Sequence, residues 1–180
     1  LEFAERRQMP VVSFVDTPGA WPGVDSERYA VAEAISRLLW KQAQVQARTV
    51  SVVLGEGGSG GALALAMADR MLMMQYAYFS VISPEACASI LWRDGARTPQ
   101  AAEKLRLLPE DLQEFGIVDE IVAEPDGGAH RYPTEALCVL RDRIRAHLEV
   151  LEAIPLDEVL KTRYRRYRGY GQVESAADVI

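Results

Sequence analysis

The residues whose types and spacing could do chemistry are Gly55-Glu56-Gly57-Gly58-Ser59-Gly60-Gly61-Ala62, with five glycines in the first seven positions. Glycine removes the side chain where a backbone takes unusual torsions or where another molecule must come close. An apolar, β-branched run, Thr49-Val50-Ser51-Val52-Val53-Leu54, leads in, and Leu63-Ala64-Leu65-Ala66-Met67-Ala68 leads out. That order reads as a strand ending at Leu54, a glycine turn over 55–62, and a helix. A helix starting there points unpaired N–H groups back at the turn, making an anion-receiving surface out of backbone.

Three patterns share these residues, and each lacks a companion. Gly55-x-Gly57-x-x-Gly60 fits a dinucleotide fingerprint, which needs an acidic residue at the end of the next strand. Tyr78-Phe79-Ser80-Val81-Ile82 stands there without one. Gly57-Gly58-Ser59-Gly60-Gly61 fits a nucleophile elbow, which needs a base, yet the two histidines, His130 and His147, lie far downstream. A phosphate loop needs Lys and Ser or Thr after the last glycine, where Gly61-Ala62 stand. A close-packed structural turn without chemistry is the plain alternative.

The elements that position the stretch follow from periodicity. Residues 1–8 read as the end of a helix, and Val11-Val12-Ser13-Phe14-Val15 as a strand buried on both faces. Asp16-Thr17-Pro18-Gly19-Ala20-Trp21-Pro22-Gly23 ends it in a rigid loop, in which Asp16 is expected to cap local N–H groups rather than act as a base. Asp25-Ser26 caps a helix expected over 27–46, with Ala30, Val31, Ala34, Ile35, Leu38 and Leu39 on one face. The resulting βαβ crossover makes the two strands parallel, so the 16–23 loop and the 55–62 turn lie side by side at one sheet edge.

Downstream, short strands are expected at 71–75, 78–82 and 117–122, and helices at 84–92, 100–107 and 109–116. Ser83 caps the first of these helices, with Pro84 at its first position. Cys87, flanked by alanines, reads as a buried inert thiol. Gly127-Gly128-Ala129-His130-Arg131-Tyr132 is a second glycine loop, and His130 a loop hydrogen-bonder. From 133 the chain reads as helical, ending in Arg163-Tyr164-Arg165-Arg166-Tyr167-Arg168, a cationic helix end expected to face another subunit, with RNA or phosphate binding as the alternative.

Composition bounds the function. The 180 residues suffice for one domain, and 20 basic against 26 acidic residues give a net charge of -6, which argues against nucleic-acid binding. Two cysteines, Cys87 and Cys138, make neither a disulfide framework nor a zinc site, which points to a reducing, cytoplasmic compartment. No apolar run reaches membrane-spanning length and no cationic n-region opens the chain.

Four blocks in order resemble the α subunit of bacterial acetyl-CoA carboxylase carboxyltransferase. They are Phe14-Val15-Asp16-Thr17-Pro18-Gly19-Ala20-x-Pro22-Gly23, the stretch Gly55 to Ala64, Tyr78-x-Ser80-Val81-Ile82-Ser83-Pro84-Glu85-x-Cys87-Ala88-Ser89-Ile90-Leu91-Trp92, and Gly127-Gly128-Ala129-His130-Arg131. The resemblance implies an α/β, crotonase/ClpP-like fold of repeated ββα units with C-terminal helices. It implies transfer of a carboxyl group from carboxybiotin, carried by the biotin carboxyl carrier protein, to acetyl-CoA, giving malonyl-CoA for fatty-acid synthesis. It also implies a β subunit in an α2β2 assembly and no metal on this chain.

By the family pattern the backbone N–H groups of Gly60, Gly61 and Ala62 form the oxyanion hole, and Gly19, Ala20, Gly57, Gly58 and Ser59 hold carboxybiotin. Ser59 is then a small turn residue, because the next strand ends in Ser83-Pro84-Glu85 where related proteases carry a histidine. Two departures accompany the likeness. Val24-Asp25-Ser26-Glu27-Arg28-Tyr29-Ala30-Val31 replaces a more glycine- and acid-rich lead into the helix, and the family carries a long segment ahead of the position of Leu1. The chain is accordingly expected to be a fragment, a domain of a fusion or a shortened form. Two alternatives are a non-catalytic assembly subunit of the same fold and, more distantly, a nucleotide-binding oxidoreductase.

Overall fold

The apolar run 49–53 becomes the centre of a parallel sheet. Val50, Val52 and Val53 are wholly buried, as a strand covered on both faces requires. The computed structural model describes residues 1–171. Its strands are β1 (Val11–Thr17), β2 (Thr49–Gly58), β3 (Arg70–Met74), β4 (Tyr78–Ser80) and β5 (Glu120–Val122). They lie in the order β1-β2-β3-β5, all parallel, with β4 set beside the far end of β2. β2 thus spans two neighbours in succession, pairing with β3 through Val53↔Met73 and with β4 from Glu56↔Tyr78.

The helices are α1 (Glu2–Arg7), α2 (Val24–Arg28), α3 (Val31–Gln44), α4 (Ser59–Ala66), α5 (Pro84–Trp92), α6 (Thr98–Leu105), α7 (Pro109–Glu114), α8 (Pro133–Glu152) and α9 (Leu156–Gly169). α4 packs on β1 and β2, α3 on α4, and α8 on β2 and β5. Alanines at 62, 64 and 66 let α4 approach the sheet closely, and Ser51 Oγ donates to Ala66 O at 2.7 Å to satisfy the end of that helix. Ser83 caps α5 as expected, accepting from Ala86 N at 3.2 Å. Among the described residues no helix is long and apolar enough to cross a membrane.

Three expectations are corrected. First, β2 does not stop at Leu54 but runs on through Gly58, so half of the glycine stretch is strand. Glycine serves there because neighbours occupy the side-chain space. A Cβ on Gly57 would lie 2.5 Å from Phe79 Cδ2, and one on Gly58 2.0 Å from Pro18 O. Secondly, the helix expected over 27–46 is broken into α2 and α3, with Ala30 left-handed at φ 52° between them. Gly23, rather than Asp25 or Ser26, is the N-cap of α2. Apolar spacing continues across the break, which is why periodicity does not reveal it.

Thirdly, Arg163, Arg166 and Tyr167 of the Arg-Tyr cluster on α9 are built into the fold, while Tyr164, Arg165 and Arg168 stay exposed. Arg163 is 3 % exposed and grips both oxygens of buried Asp69 at 2.7 Å, while donating to the carbonyls of Val45 and Ala47 at 2.7 Å. Asp69 in turn accepts from Thr49 N at 2.7 Å and Thr49 Oγ1 at 2.9 Å. Arg166 donates to Asp119 Oδ1 at 2.9 Å and Ile117 O at 2.6 Å, and Asp119 also takes Met71 N at 2.7 Å. Tyr167 Oη accepts from Ala68 N at 2.7 Å and donates to Ala68 O at 2.9 Å. Arg163 and Arg166 are thus engaged within the chain, around the N-terminal ends of β2 and β3.

Candidate functional site

At the opposite, C-terminal ends of β1 and β2, the structure brings together the 17–23 loop and the start of α4. Pro18 O crosses directly over Gly58, and Gly19, at φ 123°, packs against Gly58 O and Ser59 Cβ. A Cβ on Gly61 would sit 3.1 Å from Ala20 N. Gly19, Ala20, Gly58, Ser59 and Gly61 are therefore one constellation, and two backbone segments meet with almost no side chain between them. Thr17 Oγ1 accepts from Gly19 N at 3.2 Å and fixes the loop's first turn. Sequence reasoning missed that role, although a Thr two residues ahead of the glycine is the spacing of such a turn.

Gly58 is the N-cap of α4, and no side chain caps the helix. The N-cap carbonyl takes the N–H of the fourth helical residue, Ala62, which is also wholly buried. The N–H groups of Ser59, Gly60 and Gly61 in the first turn have no intrahelical acceptor, and Gly60 and Gly61 are half-buried. No acidic side chain stands in the first turn of α4, so its positive end is uncompensated from within the helix. Gly57 and Gly58 are buried strand residues that form the floor, and Ser59 and Ala20 are exposed.

Ser59 stands left-handed at φ 56°, the sharp strand-to-helix junction an elbow also uses. Its missing base is not supplied by the fold. His147 Nε2 is engaged by Glu120 Oε2 at 2.7 Å on β5, which β3 separates from β2, and His130 lies in the loop after β5. Glu120, raised by partial burial but lowered more by its bonds to Arg143 and His147, lies below the ordinary carboxylate range. Among the described residues, no group of three or more His, Cys, Asp or Glu could hold a metal ion.

Asp16 caps an N–H as expected, but not a local one: Oδ1 accepts from Glu56 N at 3.0 Å, across the sheet on β2. On the β4 side the rim is acidic. Partial burial, followed by the carboxylates of Glu56, Glu85 and Asp16, pushes the Tyr78 hydroxyl up. Around the same strand ends stand exposed apolar side chains, notably Trp21 at 74 %, Val24 at 75 %, Leu63 at 45 % and Val81 at 76 %. Patches of this kind mark surfaces that meet another molecule.

Residues 1–171 match the model of the family described as acetyl co-enzyme A carboxylase carboxyltransferase-like. The chain is 49 % identical over 176 residues to the acetyl-coenzyme A carboxylase carboxyl transferase subunit alpha of Hydrogenovibrio crunogenus, covering 98 % of this chain and 55 % of that protein. It is 48 % identical over 177 residues to the subunit of the same name from Methylococcus capsulatus, with the same coverage. The chain thus spans about half the length of the curated relatives it matches.

Among solved structures, a Pseudomonas malonate decarboxylase hetero-tetramer in complex with malonate superposes with a TM-score of 0.70 at 18 % identity, over 98 % of this chain and 68 % of that one. The transcarboxylase 12S core with methylmalonyl-coenzyme A bound gives 0.61 at 25 % identity, over 75 % and 28 %. The expected α/β, crotonase-type fold is the one observed.

Proposed function

Because this chain belongs to the acetyl co-enzyme A carboxylase carboxyltransferase-like family, we propose that it is the α-type half of a carboxyltransferase that moves a carboxyl group from carboxybiotin to acetyl-CoA. One observation carries the reading. α4 starts at Ser59-Gly60-Gly61 without a side-chain cap, and the Gly19-Ala20 backbone lies directly against that start.

The residues present fit a biotin ureido ring. Its oxygen is a neutral acceptor that gains negative charge as the carboxyl group leaves, which suits fixed backbone N–H donors better than a charged side chain. Bound carboxybiotin supplies the group to be transferred. Gly60 and Gly61 N–H hold the oxygen on which charge develops, with Ala62 N–H closing the turn behind them. Gly57 and Gly58 form a floor without side chains, and Gly19, Ala20 and Ser59 line the side where the ring enters. No nucleophile on this chain is required, which is consistent with Ser59 lacking a base.

The acyl-CoA half of the site is assigned to a β-type subunit that covers Trp21, Val24, Leu63 and Val81, and the carboxybiotin is presented by a biotin carboxyl carrier protein. Subunit alpha naming among relatives and the hetero-tetrameric malonate decarboxylase support an assembly of this kind. The product, malonyl-CoA, would then feed fatty-acid synthesis in the cytoplasm.

The test is carboxyl transfer from malonyl-CoA to biocytin by the complex of this chain with a carboxyltransferase β subunit. Turnover is expected. Gly61→Val, whose side chain would push the Ala20 backbone away, is expected to lower kcat by about 10²–10³-fold with unchanged circular dichroism. An unaltered rate would remove the proposed hole. Stable pairing without any turnover would select the non-catalytic assembly role.

A further inference from the structure

The ladder between β1 and β2 changes register immediately before the site. Val15 pairs with Val53, but Thr17 pairs with Gly57, so β1 advances from 15 to 17 while β2 advances from 53 to 57. β2 therefore arches through Leu54, Gly55 and Glu56, and a bulge of this kind leaves backbone groups without their ladder acceptors. Asp16 lies opposite the arch, and its Oδ1 takes the Glu56 N–H at 3.0 Å. Gly55 makes room for it, since a Cβ there would lie 3.0 Å from that same oxygen. On its other side Glu56 pairs with Tyr78 of β4, so one carboxylate ties together the ends of β1, β2 and β4. Two residues further on, Pro18 crosses Gly58 and the loop settles against Gly61.

We infer that Asp16 is a positioning residue of the carboxyl-transfer site. It substitutes for the acceptor missing at the bulge and thereby fixes the distance between the Gly19-Ala20 backbone and the Gly60 and Gly61 donors. The inference rests on the carboxyltransferase reading of that site. It requires an acceptor oxygen at position 16 and no negative charge. A misplacement of about 1 Å in such a site costs on the order of 10²-fold in rate.

The experiment uses the complex with the β subunit and the malonyl-CoA to biocytin assay. Asp16→Ala is expected to lower kcat by about 10–100-fold with little change in the KM for malonyl-CoA. Asp16→Asn keeps an acceptor oxygen and is expected to restore the rate to within about threefold, with the wild-type pH profile. Gly55→Ala, which crowds the intact carboxylate, is expected to behave like Asp16→Ala. Amide exchange at Glu56 in the same complexes should quicken in Asp16→Ala and stay slow in Asp16→Asn. Asp16→Ala at the wild-type rate overturns the inference, and so does Asp16→Asn as slow as Asp16→Ala, which would make the charge itself the requirement. A wild-type complex that pairs but never turns over removes the functional reading instead, and is told apart by that control alone.

Discussion

The two ends of the central strands are built by opposite means. At the N-terminal end, side chains from α9 reach in and occupy the available groups: Arg163 satisfies Asp69 and two carbonyls, and Tyr167 takes both backbone groups of Ala68. At the C-terminal end, side chains are withdrawn. Glycines at 57, 58 and 61 let one backbone segment lie on another, and the first turn of α4 has no side-chain cap. A buried charge is tolerable only when its bonds are complete, whereas a site must keep donors unspent. One end therefore contributes rigidity, and the other is the end to which the proposed function assigns the chemistry.

The comparison breaks most readily at Arg163. Arg163→Ala leaves the Asp69 carboxylate buried without its counter-ion, and a loss of about 3–5 kcal/mol in unfolding free energy is expected from urea denaturation. Arg163→Lys should recover little of it, because a single ammonium cannot reach two carboxylate oxygens and two carbonyls together. A variant as stable as the wild type would show that the lock is decorative.

The glycine end is sharpened by a pair of substitutions. Gly58→Ala places a Cβ 2.0 Å from Pro18 O, a backbone atom that cannot swing aside, so a destabilisation of about 3 kcal/mol is expected. Gly60→Ala meets nothing closer than Ile35 Cγ2 at 3.9 Å and should raise the melting temperature slightly, by about 0.5–1 kcal/mol of helix propensity. Equal effects at the two positions would mean that close backbone approach is not what the glycines provide.

Tyr167 offers a pH handle on the locked end. Burial pushes its hydroxyl up to about 12 from an ordinary 10.0, despite the opposing bond from the Ala68 N–H. Between these values the unfolded chain releases the proton first, so stability present below pH 10 is lost as pH rises toward 12. Tyr167→Phe is expected to cost about 1–2 kcal/mol at neutral pH by leaving the buried Ala68 N–H without its acceptor. The gap to wild type should then narrow above pH 10, as followed by thermal denaturation across pH. An effect as small as that at Gly60 is expected at Ser59, where glycine relieves the left-handed φ of 56° and should stabilise by about 0.5–1 kcal/mol.

What could be read in advance followed the same division. Strand and helix alternation was legible because the apolar runs are long, and the side-by-side placement of the 16–23 loop and the glycine turn followed from one parallel crossover. Glycine at 57 and 58 was read as a turn because local rules associate the residue with chain reversal. Its use inside β2 depends on Phe79 and Pro18, which no local pattern reveals. Likewise Arg163 reads from sequence as part of a cationic helix end facing another subunit, since the carboxylate that it meets lies 94 residues earlier. Ala30 breaks the 27–46 helix with no glycine or proline to announce it.

The lock also sets an order of events during synthesis. Asp69 and Asp119 emerge from the ribosome well before α9, and until α9 arrives buried Asp69 has no arginine to neutralise it, while Asp119 has Arg70 alone, at 2.9 Å. The nascent sheet cannot close tightly around an unpaired buried Asp69, so its final consolidation waits for α9, and a chain stalled before Arg163 would be a natural substrate for chaperones or proteases.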